Sequence, residues 1–388
     1  MCCTRPPWPK QPRGSHNLSQ ATGPGCHGDH FHETGAVVSD VTPTYRVVQW
    51  ATGNIGSRSL RGVIDHPALS LVGLHVHSPD KDGHDAGALC DRPPTGILAT
   101  TDIEAVLALE ADCVLYMARD CNYDEISRIL ESGTNVVTTR GEFHHPGSMD
   151  PEHRAQVEAA CRRGGTSIHS TGSSPGFISE AVPLVLTSIQ RRLDHLAIEE
   201  FADLSQRPSP DLLFTLMGFG SNPAEFDHGR WSYGGESFGP SLHLVAEALS
   251  APLDALEASG EVAVATTRTE IAAGTIEAGT IAAQRLKVTG MRGGRPFLSF
   301  SAMWYCTTDI EPAWEPRPTG WRISVAGDAP LDVEMRLAVP LSDMAELSPG
   351  YTANRAVNAV PIVCAAAPGI RTTIDLPQII ANLGAGNS

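Results

Sequence analysis

The stretch Tyr45-Arg46-Val47-Val48-Gln49-Trp50-Ala51-Thr52-Gly53-Asn54-Ile55-Gly56 decides how the chain folds. Its first six residues are β-branched and aromatic, the next six form a glycine turn, and Ser57 to His66 carries helical apolar spacing until Pro67 stops it. A second strand, Leu71 to Val76, follows within the length of one βαβ unit, the context that turns a glycine pattern into a dinucleotide site. Gly53 lets backbone approach a pyrophosphate without a Cβ, and Gly56 lets the helix pack closely on the strand. The helix N-terminus offers unpaired N–H groups to the anion. Thr52, Gly53, Asn54, Ile55 and Gly56 are therefore the expected cofactor loop. Ala51 stands where the usual fingerprint has its first glycine, which a turn with negative φ accommodates.

Strands and helices keep alternating beyond this unit. Asp112–Met117, Asn135–Thr139 and Thr166–Ser170 read as strands, separated by helices over Tyr123–Ser132 and Asp150–Arg163, the latter capped by Asp150 with Pro151 in its first turn. The result is a doubly wound pattern of Rossmann type over residues 45–175. Ligands in such sheets bind beyond the carboxyl ends of the strands, so the loops after residues 50, 77, 117, 139 and 170 form the candidate site. After the turn Thr171-Gly172-Ser173-Ser174-Pro175-Gly176-Phe177 comes an apolar helix from Ile178 to Gln190. Beyond Asp194 long β-rich runs and an aromatic, glycine-rich loop over Phe214–Phe238 predict an α+β open-sheet domain spanning residues 176–350. Residues 351–388 read as a helix broken at Pro361 that returns to the first domain.

Composition excludes several classes of function. Twenty-eight Lys+Arg against 44 Asp+Glu give a formal charge of −16, which disfavours nucleic acid and anionic membrane as partners. Residues 1–44 carry six prolines and no periodicity, the mark of a tail that does not order itself. Within it Cys26, His27, His30 and His32 cluster, but no second half of a zinc site accompanies them, and no metal is expected. Nine cysteines without a C-x-x-C pair, no apolar run of membrane-spanning length and an opening segment without an apolar stretch lead to the expectation of a reduced, cytoplasmic protein.

The segment after the second strand reports on cofactor choice. It reads His75-Val76-His77-Ser78-Pro79-Asp80-Lys81, with no acid at the strand end but a hydroxyl, Ser78, and a cation, Lys81. That pair suits a ribose 2′-phosphate and favours NADP, with NAD possible.

Taken together, VVQWATGNIG, SPDKDGHDAG (Ser78 to Gly87), NVVTTRGE ending at Glu142, GSSPGF and VNAVPIVCAAAPGIRTTIDLP resemble the NAD(P)-dependent amine dehydrogenases, including 2,4-diaminopentanoate dehydrogenase, with their dihydrodipicolinate-reductase-like N-terminal domain. The resemblance covers residues 45–380. It implies a homodimer that interconverts small-molecule amines with ketones or imines, and a catalytic carboxylate just after the fifth strand, here Glu142. It also implies cofactor contacts from Ser174, Pro175 and Gly176, where the family commonly reads Asn-Pro-Gly, and from Asn358, and a substrate pocket with Phe177 and His144. Glu142 suits the chemistry independently. Reductive amination must hold an amine beside a carbonyl carbon and stabilise an iminium, and a carboxylate does both. The alternatives are a dihydrodipicolinate-reductase-like imine reductase and a catalytically silent NADP(H)-binding redox sensor.

Overall fold

The computed structural model describes residues 44–227 and 229–384; the N-terminal tail with its Cys/His cluster lies outside the described residues. The N-terminal half holds β1 (Tyr45–Trp50), α1 (Asn54–Asp65), β2 (Leu69–His75), β3 (Ala99–Thr100), α2 (Ile103–Leu107), β4 (Cys113–Tyr116), α3 (Tyr123–Glu131), β5 (Asn135–Thr138), α4 (Pro151–Gly164) and β6 (Ser167–Ser170). All six strands are parallel in the order β6-β5-β4-β1-β2-β3. Val47, Val48 and Trp50 are fully buried, which is why this strand reads as a continuous apolar run rather than an alternating one. Asp102, Asn122 and Asp150 each accept backbone N–H bonds at a helix start, and Gly165 ends α4 at φ +69°.

The C-terminal half begins with a wide helical turn over Ser173–Ala181, non-helical at Ser174, Pro175 and Gly176, which runs into α5 (Val182–Thr187). It continues with β7 (Leu193–Asp203), α6 (Arg230–Ala248), β8 (Ala255–Ala265), the hairpin of β9 (Thr269–Ile271) and β10 (Gly274–Ile276), then β11 (Ile281–Arg292), β12 (Arg295–Tyr305), β13 (Ile310–Glu311), β14 (Gly320–Gly327) and β15 (Leu331–Arg336). Seven of these strands form one mixed sheet, β13-β8-β11-β12-β7-β14-β15. A Rossmann sheet followed by an open α+β sheet is the predicted architecture.

Three features depart from the sequence reading. The supposed loop over Phe214–Phe238 contains the start of α6. Its glycines are spacers: a Cβ on Gly234 would meet Leu286 at 2.4 Å and one on Gly239 would meet Leu256 at 2.7 Å. Small residues thus let this helix lie close on the sheet, with Phe238 stacked on Phe300 at 3.9 Å. The last helix, α7 (Leu341–Cys364), runs through both Pro349 and Pro361. Burial of Ala356, Val357, Ala359, Val360 and Val363 against Val47, Val63 and Leu115 holds it helical despite the lost amide donor. Finally β16 (Gly369–Arg371) adds a seventh strand beside β6, too short to leave a period in the sequence.

Candidate functional site: a glycine loop, a carboxylate and two flanking clefts

The site grows from the turn after β1. Ala51 adopts φ +71°, against the negative φ expected for an alanine, so this position has the left-handed geometry for which the fingerprint uses glycine. The fully buried Gln49 explains how it is held. Its amide nitrogen donates to the Ala51 carbonyl at 2.9 Å while its amide oxygen accepts from Ser59 Oγ at 2.8 Å. Sequence reasoning missed Gln49, whose only signal is a polar residue inside an otherwise apolar strand.

The remainder of the loop fits a dinucleotide phosphate. A Cβ on Gly53 would enter open space, while one on Gly56 would lie 2.3 Å from the Ala51 carbonyl oxygen. Helix α1 starts at Asn54 with no side-chain cap and no acid in its first turn, which leaves its N–H groups for an anion. Thr52, Gly53, Asn54 and Ile55 share one cleft of about 850 Å³ with Ser78, Lys81, Thr139 and Arg140. Lys81 Nζ lies 3.1 Å from Thr52 Oγ1, so the cation leans over the loop.

Glu142 opens on a second cleft, also about 850 Å³, between the segment after β5 and α6, with Pro175 in its wall. Its Oε1 accepts from Arg140 at 2.7 Å, and its buried Oε2 has no hydrogen-bond partner among the described residues. Three titratable groups near it shift toward their neutral forms. Burial, then the Glu142 charge, pushes Cys121 up to about 12, and burial is likewise the main cause that raises Tyr123. Burial and the adjacent His145 lower His243, which stacks on His145 at 5.3 Å.

A third cleft, about 310 Å³, lies between Asn54, Ile55 and Ser174 on one side and the second sheet on the other. Its floor is aromatic: the indole N–H groups of Trp304 and Trp321 donate to the two oxygens of Glu200 at 3.2 and 3.1 Å. Phe177 packs edge-on to Trp321 at 6.4 Å, under the Arg355 guanidinium, and is not in the cleft wall itself.

The structure therefore gathers the glycine loop, Ser78 and Lys81 in one cleft and brings Glu142, Pro175 and Ser174 to the clefts beside it. Gly176 is buried at φ +115° beneath them. Two further expected residues lie outside these clefts. Asn358, half-buried on α7, lines none of the three clefts. His144 is only 2% exposed, is bonded to Glu180 and lines none of the three either. Among the described residues no His/Cys/Asp/Glu group is arranged to hold a metal, all six cysteines are free thiols, and no helix is long and apolar enough to cross a membrane.

Residues 177–387 match the family model for the 2,4-diaminopentanoate dehydrogenase C-terminal domain. The chain belongs to that family. It is 31% identical to an amine dehydrogenase of Streptomyces virginiae over 344 residues, 85% of this chain and 95% of that protein. It is 24% identical to the 2,4-diaminopentanoate dehydrogenase of Acetoanaerobium sticklandii over 266 residues, 68% of this chain and 72% of that protein. In three dimensions it superimposes on the amine dehydrogenase of Mycobacterium smegmatis with a TM-score of 0.70 at 21% identity, covering 87% of this chain and 97% of that one. Likeness to this family runs through both halves of the chain, which disfavours a dihydrodipicolinate reductase.

Proposed function

We propose that this family member is an NADPH-dependent oxidoreductase acting on CH–NH2 groups, an amine dehydrogenase that aminates a ketone or aldehyde reductively. In the balanced reaction a carbonyl compound, ammonium, NADPH and one proton give the alkylammonium, NADP⁺ and water. The observation that carries the assignment is the buried, unpartnered Oε2 of Glu142. A carboxylate oxygen left without a donor is costly unless a ligand supplies one, and an amine N–H is such a donor.

A nicotinamide, when bound, supplies or takes the hydride. The chain's own residues do the rest. Glu142 accepts a hydrogen bond from the amine, lowers the energy of the iminium by its charge, and takes the ammonium proton in the oxidative direction. Arg140 holds the opposite oxygen and so aims the free one. Tyr123 remains a protonated donor in the same cleft. The third cleft, floored by Trp304 and Trp321, suits an apolar substituent of the carbonyl compound. Ser78 and Lys81, in the absence of an acid at the end of β2, support NADPH over NADH.

The test is to follow NADPH oxidation against a panel of ketones and aldehydes with and without ammonium. Turnover that requires ammonium supports the assignment. Ammonium-independent reduction of the carbonyl, or tight NADPH binding without turnover on any substrate, replaces it with a carbonyl reductase or a silent cofactor sensor.

A further inference from the structure

Beneath the Glu142 cleft lies a chain of buried hydrogen bonds whose polarity can be read from donor and acceptor capacity alone. Ser170 Oγ donates to the Arg140 carbonyl at 2.6 Å, which uses its only proton. The 3.2 Å contact between Ser170 Oγ and His144 Nε2 is then a bond donated by the histidine. On the other side of the ring, Nδ1 lies 2.6 Å from Glu180 Oε1, and an ionised carboxylate only accepts. Both ring nitrogens are therefore engaged, Nε2 by Ser170 and Nδ1 by Glu180, so the ring is fixed at both ends. The two side chains are 1% exposed each.

From Glu180 the chain continues in the opposite direction. Ser241 Oγ donates to Glu180 Oε1 at 2.6 Å, Ser179 Oγ donates to Ser241 Oγ at 3.0 Å, and the Gly176 amide donates to Ser179 Oγ at 2.9 Å. Thr373 Oγ1 donates to the other Glu180 oxygen. Every hydroxyl in the series donates once. Burial alone would raise the Glu180 carboxyl, but His144, Ser241 and Thr373 outweigh it and hold it below its ordinary value.

The ends of this chain fall on the two parts of the site that must be in register. One end is the Arg140 carbonyl, two residues before Glu142. The other is the amide of Gly176, at the turn that places Ser174 and Pro175, and the middle grips α6 beside Pro240, in the far wall of the Glu142 cleft. We propose that the buried, hydrogen-bonded His144–Glu180 pair is a positioning device that fixes Glu142 relative to the Ser174–Gly176 turn and α6. Ser170, His144 and Glu180 have the connectivity of a hydrolytic Ser-His-acid triad. Ser170 is only 1% exposed and its proton is committed to Arg140, so no substrate reaches it and positioning is the role left to the group.

This proposal rests on Glu142 as the catalytic carboxylate, and its test separates the two. Glu180→Gln keeps the shape and removes the charge; Ser170→Ala cuts only the last link and is the milder variant should the first fail to fold. Nitrogen-15 spectra of the histidine rings are expected to show the His144 Nδ1 signal shifted from wild type in Glu180→Gln and the Nε2 signal shifted in Ser170→Ala. Turnover in both variants is expected to fall about 10- to 100-fold, as for small misplacements of a reacting group, with the NADPH dissociation constant unchanged within about threefold. His144 ring signals unchanged in both variants overturn the proposal, as does turnover within twofold of wild type in either folded variant. Activity surviving in Glu142→Gln overturns the base assignment instead, while leaving the spectra as predicted.

Discussion

Replacing Ala51 by glycine should stabilise this protein. Ala51 sits at φ +71°, where a Cβ crowds the following carbonyl at a cost of about 1–2 kcal/mol. Glycine removes that strain but gains freedom in the unfolded chain worth about 0.4–1 kcal/mol. The net expectation is a gain of about 0.5–1 kcal/mol, a rise of about 1–3 °C in Tm for a chain of this size. The opposite change belongs beside it. Gly56→Ala puts a Cβ 2.3 Å from the Ala51 carbonyl oxygen and 2.9 Å from its carbon, both backbone atoms that Gln49 also pins, so the loop must move. Overpacking of this kind costs about 1–3 kcal/mol, and the displaced loop should weaken NADPH binding at least about tenfold. Because the two sites touch, the double variant should recover part of that loss. Urea unfolding and fluorescence titration with NADPH read both quantities. A lower midpoint for Ala51→Gly, or wild-type NADPH affinity in Gly56→Ala, refutes the loop geometry argued above.

Three further expectations follow from particular contacts. Lys81→Ala should narrow the preference for NADPH over NADH by about 1–2 kcal/mol, the worth of one charge-assisted bond, as read by paired titrations; unchanged selectivity assigns the 2′-phosphate elsewhere. Gly234→Ala drives a Cβ to 2.4 Å from Leu286 and should destabilise α6 by about 1–3 kcal/mol in a urea titration, whereas a silent substitution shows that the helix has room to spare. Burial lowers His169 to about 4, so it stays neutral in the fold while the unfolded chain takes up a proton below about 6.5. Its contribution is therefore present above pH 6.5 and lost as the pH falls towards 4, at about 1.4 kcal/mol per pH unit, and His169→Gln should flatten that part of the stability curve.

What the sequence discloses here is what local physics controls. The βαβ unit at Tyr45, the cap at Asp150 and the succession of two sheets follow from apolar period, glycine placement and side-chain capping, all readable over a few residues. Helix α6 was hidden because Gly234, Gly235, Gly239 and Pro240 are poor helix formers whose smallness only makes sense against Leu286 and Leu256, residues far along the chain. For the same reason β16 and the helix across Pro361 escape notice: burial against distant strands decides them. The site shows the same division. Thr52 to Gly56, Ser78, Lys81 and Glu142 lie in the segments that follow strands, and that position already marks them as candidates. His144 does too, yet the structure turns it inward to Glu180, a residue that in sequence is merely one acid in an apolar helix. A hydrogen-bonded pair 36 residues apart leaves no local signal.

The chemistry proposed for the second cleft depends on one carboxylate, Glu142, and Glu142→Gln probes it. Glutamine keeps size and polarity and removes the charge and the base. Loss of a general base alone lowers turnover about 10²–10⁴-fold, and loss of iminium stabilisation adds to that. The glycine loop, Ser78 and Lys81 are untouched, so NADPH should bind with an affinity within about twofold of wild type. A folded Glu142→Gln protein that binds NADPH normally and has lost at least 99% of ammonium-dependent turnover is the predicted result, the lower limit of that range. Retention of more than about a tenth of wild-type turnover, a barrier change below about 1.4 kcal/mol, contradicts it.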